Sequence, residues 1–205
     1  MSINVRTVQQ ILTSGGVVKF NNNNLNPVFC SAVPKMPSPL GVFDQYRMAR
    51  ATFDNNAITM TGVEESDLQA NAINIVYEDN YATTGSVGAS RLVYSDSFSG
   101  CVFYLYRGPM GYIHAVHASR ASGNLADPSS YFAKRGGTEI HKWDSQGALS
   151  DEMLLKGWFG AVIAVVNHDQ IDVFSVALKG DSKLRANRVM SVLDHTVIAS
   201  GATEA

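Results

Sequence analysis

The chain has 205 residues, 45% of them apolar and 17% charged, a size suited to one folded unit with a core that needs no metal or disulfide framework. Sixteen Lys and Arg face 18 Asp and Glu, for a formal charge of −2, so there is no basic footprint for nucleic acid or acidic membrane. The longest nearly uninterrupted apolar stretch, 157–166, is about half of what a membrane-spanning helix requires, and MSINVRTVQQ has no secretory-signal pattern.

At the start, Val5, Val8 and Leu12 recur at helical spacing before Gly15-Gly16, which predicts a short amphipathic helix over 3–14. GVVKF then reads as a strand and NNNNLNP as a turn. Pro27, Pro34, Pro37 and Pro39 make the next segment extended and poor in ladder donors, an edge or a long loop. From residue 57 onward, segments rich in β-branched and aromatic residues predict strands at 57–62, 72–77, 90–95, 101–106, 111–118, 160–167, 171–179 and 191–199. Two helices interrupt them: DPSSYFAKR, with Asp127 as cap and Pro128 at the first helical position, and SDEMLLKGW, capped by Ser150. The composite is α+β, two packed sheets with a few helices outside, in a single domain over 1–205.

Two cysteines occur, Cys30 and Cys101, and neither belongs to a zinc-ligand spacing. Cys30 lies in apolar VFCSAV with no local histidine and reads as structural. Cys101 differs. A polar, small-residue loop containing Ser95, Asp96, Ser97, Ser99 and Gly100 delivers it to a strand, and RGPMG turns the chain into a second strand bearing His114 and His117. If Gly108, Pro109 and Met110 form a three-residue hairpin loop, Leu105 opposes Ile113, Phe103 opposes Ala115 and Cys101 opposes His117. His114 alternates onto the other face with Tyr112.

A thiol within reach of an imidazole is the minimum unit for nucleophilic acyl chemistry. An imidazolium beside Cys101 would hold its pKa low enough for alkylation to persist at pH 6. Gly100 would let a carbonyl substrate approach the backbone, and N–H groups of the Ser99-Gly100-Cys101 turn could hold the developing oxyanion. The bland alternative stays open: a cysteine at a strand start is commonly a small core residue, and a strand histidine a satisfied structural one.

Phe98-Ser99-Gly100-Cys101 at the head of a strand, with a strand histidine within about sixteen residues, resembles the glutamine deamidase toxins, which include the catalytic domain of cytotoxic necrotizing factors and the Burkholderia lethal factor. In that family a Leu-Ser-Gly-Cys motif presents the nucleophile; here Phe98 stands in place of the leucine. The resemblance implies a β-sandwich of two mixed sheets with outer helices, Cys101 as nucleophile and a strand histidine as base, for which the hairpin register and the Ala115-Val116-His117 context favour His117, with Ser99 and Gly100 in the oxyanion and positioning role. Both His114 and His117 lie near the family's spacing. The implied partner is a host protein, a signalling GTPase or a translation-initiation helicase. The implied setting is a soluble, monomeric bacterial effector acting in the host cytosol, without a cofactor, metal, nucleic acid or membrane insertion. Two rival readings are another Cys–His acyl enzyme, such as a protease or transglutaminase, and a non-catalytic β-sandwich binding protein.

Other features carry less. Asp151 and Glu152 fit first-turn helix acids. His141, His168 and His195 stand in no ligand-like spacing, and Lys134-Arg135-Gly136-Gly137 lacks the strand and glycine pattern of a phosphate loop.

Overall fold

A computed structural model of the protein describes residues 3–21, 41–88, 91–121, 123–181 and 186–199. The proline-rich segment, the expected asparagine turn after its first residue, and Cys30 lie outside the described residues. Helix α1 (Val5–Thr13) starts at Asn4, whose side chain accepts the Arg6 N–H at 2.9 Å, and it buries Val8, Ile11 and Leu12. Strand β1 (Val17–Asn21) follows, then β2 (Val42–Asp44), β3 (Tyr46–Asp54), β4 (Ala57–Gly62), β5 (Ala72–Ile75) and β6 (Ala82–Ser86). The central run is β7 (Leu92–Phe98), β8 (Val102–Arg107) and β9 (Ile113–Ala118), followed by the short pair β10 (Arg120–Ala121) and β11 (Asn124–Leu125). Helix α2 (Ser129–Ala133), β12 (Thr138–Asp144) and helix α3 (Asp151–Leu155) lead to β13 (Trp158–Val166), β14 (Gln170–Asp181) and β15 (Ala186–Ala199).

Helix α3 begins at its expected cap, Ser150, whereas α2 begins one residue later than expected, at Ser129, with Pro128 and not Asp127 in the cap position. Ser150 Oγ accepts the Met153 N–H, whereas Asp127 Oδ1 accepts from Ser129 N and Oγ one residue ahead of the helix-flanking Pro128. No helix among the described residues is long and apolar enough to cross a membrane.

The expected α+β sandwich of two mixed sheets does not form; the described residues are dominated by strands, and their three helices are short. Eight strands close into a barrel in the order β1-β15-β14-β13-β7-β5-β3-β4, and five more form a second sheet, β12-β8-β9-β6-β2. Closure depends on β1, which pairs antiparallel with β15 (Val17↔Arg188) and parallel with β4 (Val17↔Ala57), leaving the barrel without an edge. The β14–β15 ladder carries two register shifts, between Ser175 and Val176 and between Ala177 and Leu178, the kind of irregularity that bends a strand.

Alternation along the strands then sorts the side chains into three cores. Val18, Ile58, Met60, Tyr94, Ile163 and Phe174 form one core with Val8, Ile11 and Leu12 of α1, whose other face, with Arg6, Gln9, Gln10 and Thr13, is exposed. The opposite faces of β5, β7, β13 and β14 supply Ile73, Val93, Val162 and Val173, which meet Phe103, Leu105, Ala115 and Trp143 of the second sheet. On that sheet's far side, Tyr104, Tyr106 and Val116 are covered by Phe132 of α2.

Candidate active site

Ser99-Gly100-Cys101 is the crossover from barrel to sheet: β7 ends at Phe98 in the barrel wall and β8 begins at Val102 in the second sheet. The crossover is held by Ser145, a buried residue just after β12. Its hydroxyl accepts the Gly100 N–H at 2.9 Å and donates to the Cys101 carbonyl at 2.8 Å, while its own N–H reaches that carbonyl at 3.1 Å. The Gly100 N–H is thus occupied, which removes it from the oxyanion role expected of the turn. Gly100 keeps the other role, because a Cβ built on it would meet nothing within 4 Å and the approach to the backbone is open. Ser99 is exposed.

Cys101 is only 7% exposed and faces the layer between barrel and sheet. Burial pushes its thiol pKa up; the backbone N–H and the charge of Arg120 pull it down, Asp79 raises it, and the Ser99 backbone lowers it. Arg120 is itself held by Asp144 at 2.6 Å and by Gln146.

The β8–β9 hairpin differs from the expected register by two residues. The loop spans 108–112, closed by Gly108 N to Tyr112 O at 2.8 Å and Gly111 N to Gly108 O at 2.9 Å. Phe103 consequently faces His117, Leu105 faces Ala115 and Arg107 faces Ile113. A shift of two preserves the alternation, so His117 remains on the face of Cys101. It is a diagonal neighbour, for which about 7–8 Å between Cα atoms is usual. Continuing the ladder puts Ser119 opposite Cys101. His114 pairs with Tyr106 on the far side, its ring 5.6 Å from Phe132, and so is separated from the thiol by the sheet.

His117 is fully buried. Its Nδ1 lies 2.9 Å from Ser95 Oγ, and Ser95 donates its own proton to the Ile75 carbonyl at 2.9 Å. With that proton committed, Ser95 accepts from Nδ1–H, which leaves Nε2 as the lone-pair nitrogen. Among the described residues Nε2 has no hydrogen-bond partner, and the thiol–imidazole hydrogen bond expected from direct opposition is not made. Burial lowers the imidazole pKa to about 3. The resting pair is therefore a neutral thiol and a neutral imidazole, in place of the expected ion pair.

Phe98 stacks on the His117 ring at 3.9 Å and 9°. Strict alternation would send Ser95 and Phe98 to opposite faces of β7. The ladder to β13 explains why both reach His117: Gly160 pairs with Phe98 and Val162 with Ser95, so β7 carries one extra residue between them. Ser97, with φ at +67°, marks this bulge, which resets the alternation. Sequence places Ser95 at the end of the 90–95 strand and at the start of the polar loop, with no role assigned to it at the site. The available signal was its position on the outward parity of 91–95, shared with Val93.

Tyr77, between β5 and β6, lies 5.3 Å from His117 and gives its hydroxyl proton to Asp79 Oδ1 at 3.0 Å.

The remaining candidates stand apart. His141 lies on β12, its pKa lowered by burial and opposed by the charge of Asp194. His168 contacts Asp169 on the surface, and His195 contacts the buried Asp172 at 3.1 Å while stacking on Phe174. Asp151 and Glu152 occupy the first turn of α3. Among the described residues no group of three His, Cys, Asp or Glu could hold a metal ion. Comparison of the chain with protein-family models and with curated proteins gives no match.

Proposed function

We propose that this protein is a cysteine-dependent glutamine deamidase, a bacterial effector that converts a glutamine side chain of a host protein to glutamate. The observation that carries this reading is the protonation pattern of His117: Ser95 holds Nδ1–H, Nε2 is buried and unpartnered among the described residues, and the ladder sets His117 on the sheet face of Cys101. Nε2 takes the thiol proton as sulfur bonds to the γ-carboxamide carbon. The tetrahedral intermediate collapses, the imidazolium returns the proton to nitrogen, and ammonia leaves behind a thioester. Water, deprotonated by the same nitrogen, attacks the thioester and restores the thiol, yielding glutamate. Signalling GTPases and translation-initiation helicases are the substrate classes supported by the resemblance of Ser99-Gly100-Cys101 to the deamidase toxins.

The test is peptide mass spectrometry of a host lysate treated with the protein. Amide-to-acid conversion at a glutamine without chain cleavage is expected. Cys101→Ala and His117→Ala should abolish it, and Ser95→Ala should lower it at least roughly tenfold by releasing the imidazole orientation. Chain cleavage would indicate a protease, and amine incorporation a transglutaminase.

One observation favours a second reading, a non-catalytic binding domain: the thiol is nearly buried and its pKa is raised. Absence of any modified glutamine with the wild-type protein across host lysates would select it.

A further inference from the structure

The segment between β5 and β6 forms the solvent side of the site and is tied down at both ends. Val76 N donates to the Gln45 carbonyl at 3.3 Å, and Thr83 Oγ1 donates to the Val76 carbonyl at 2.6 Å. At the other end Asn80 N donates to Ser119 Oγ at 3.2 Å, and Ser119 N donates to the Tyr81 carbonyl at 3.0 Å. Ser119 is the residue that the ladder places opposite Cys101, so the segment is anchored beside the thiol. Tyr77, 39% exposed, closes over the His117 ring, and its hydroxyl fixes one oxygen of Asp79.

We propose that Asp79, oriented by Tyr77, recognises the carboxamide presented to Cys101, accepting an N–H of the amide nitrogen on Oδ2 and repelling a carboxylate in the same place. The proposal rests on the deamidase reading for its substrate, but it concerns which group the thiol admits. A carboxamide differs from the carboxylate it becomes in two respects: it has N–H donors and it lacks charge. A fixed carboxylate beside the nucleophile reads both. Asp79 Oδ1 is occupied by Tyr77, while Oδ2 accepts no hydrogen bond among the described residues. Of the neighbouring acids, Asp144 has both oxygens occupied, and Glu78 is not among the charges that act on the Cys101 sulfur, whereas Asp79 is. Asp144 binds Arg120 through Oδ2 and the Gln146 N–H through Oδ1, and Glu78 accepts from Gln45. The charge of Asp79 also reaches the sulfur, since it opposes thiol ionisation. After hydrolysis the same charge would face the new glutamate and speed product release.

The test uses three alkylating agents of similar size on the native protein at pH 8.5: iodoacetamide, iodoacetate and methyl iodoacetate. In each case the Cys101 sulfur bonds to the CH2 group as iodide leaves. Modification is read at the Cys101 peptide by mass spectrometry and divided by the rate on glutathione.

The amide should be preferred over both the carboxylate and the ester by roughly tenfold, the scale of one hydrogen bond to a charged acceptor. Asp79→Ala should lose both preferences. Asp79→Asn should lose the preference over carboxylate but keep that over the ester within about twofold, because its carbonyl still accepts an N–H. Tyr77→Phe, which leaves the carboxylate without its guide, should fall between wild type and Asp79→Ala. Thermal melting checks that these exposed substitutions leave the fold intact. Equal normalised rates for all three reagents, or preferences unchanged in Asp79→Ala, would overturn the proposal and leave the deamidase reading standing. No modification of wild-type Cys101 by any reagent would overturn both.

Discussion

Two protons decide how the site can start a reaction. Burial disfavours charge on either partner, raising the Cys101 thiol and lowering the His117 imidazole, so no thiolate is stored at neutral pH. On the proposed mechanism, proton transfer from sulfur to Nε2 accompanies attack on the carbonyl carbon. Alkylation of Cys101 by iodoacetamide should therefore be slow at pH 6 and still be rising above pH 9. Replacing His117 by Gln should shift that profile little, because the imidazole carries no charge over the range. A rate that stays high at pH 6 and falls in His117→Gln would establish an ion pair instead. Sequence made Cys101 and His117 visible, one through its small-residue turn and the other through alternation from it. Ser95 was hidden because the Asp96–Ser97 bulge breaks that alternation between the two residues that hold the ring.

At the level of strands, small residues matter as much as large ones. Gly160 on β13 faces Phe98, and a Cβ there would stand 2.9 Å from Trp143 Cη2, 3.0 Å from Phe98 Cβ and 3.1 Å from the Phe98 carbonyl. Phe98 is in turn the stacking partner of His117, so strand packing and ring position are coupled. Gly160→Ala should cost about 1–3 kcal/mol in urea unfolding, as overpacking does, and should lower kcat of the proposed deamidation more than KM. Unchanged stability would show that Phe98 can yield without cost. The same principle explains which strands the sequence disclosed. β13 and β14 are long runs of branched residues and were evident, whereas β6, ATTGS, was not. It is buried at four of its five positions and has no room for larger groups: a Cβ on Gly85 would meet Ile73, Ile75 and Tyr46 at 2.8 to 3.0 Å. β12 was missed for the opposite reason. As an edge strand it alternates weakly and carries Glu139, His141 and Lys142.

Over the whole molecule, buried neutral histidines couple stability to acid. His117 titrates at about 3 when folded, and burial lowers His114 and His141 as well. Above about pH 6.5 a histidine is neutral in both states and this stability is fully present. Below it the unfolded chain binds protons that folded His117 refuses, so stability falls as pH drops toward 3, at about 1.4 kcal/mol per pH unit for one such group. Urea unfolding at pH 7, 6, 5 and 4 should show a decline that is shallower in His117→Gln by about that slope. Parallel declines would mean that His117 accepts its proton without unfolding. The barrel that buries this ring was not legible from sequence, because nothing in β1 alone says that it pairs with a strand at the other end of the fold.

That pairing also sets an order of events during synthesis. Among the described strands β1 comes first, but one of its two neighbours, β15, comes last. Until β15 leaves the ribosome the wall has a gap, with β1 and β14 each lacking a partner on one side. β7, which brings Ser95 and Phe98 to His117, is part of that wall. A nascent chain can already expose Cys101 long before the imidazole is held against Ser95. On this order the wall that carries Ser95 and Phe98 closes only once β15 has emerged, well after Cys101 and His117 have been made.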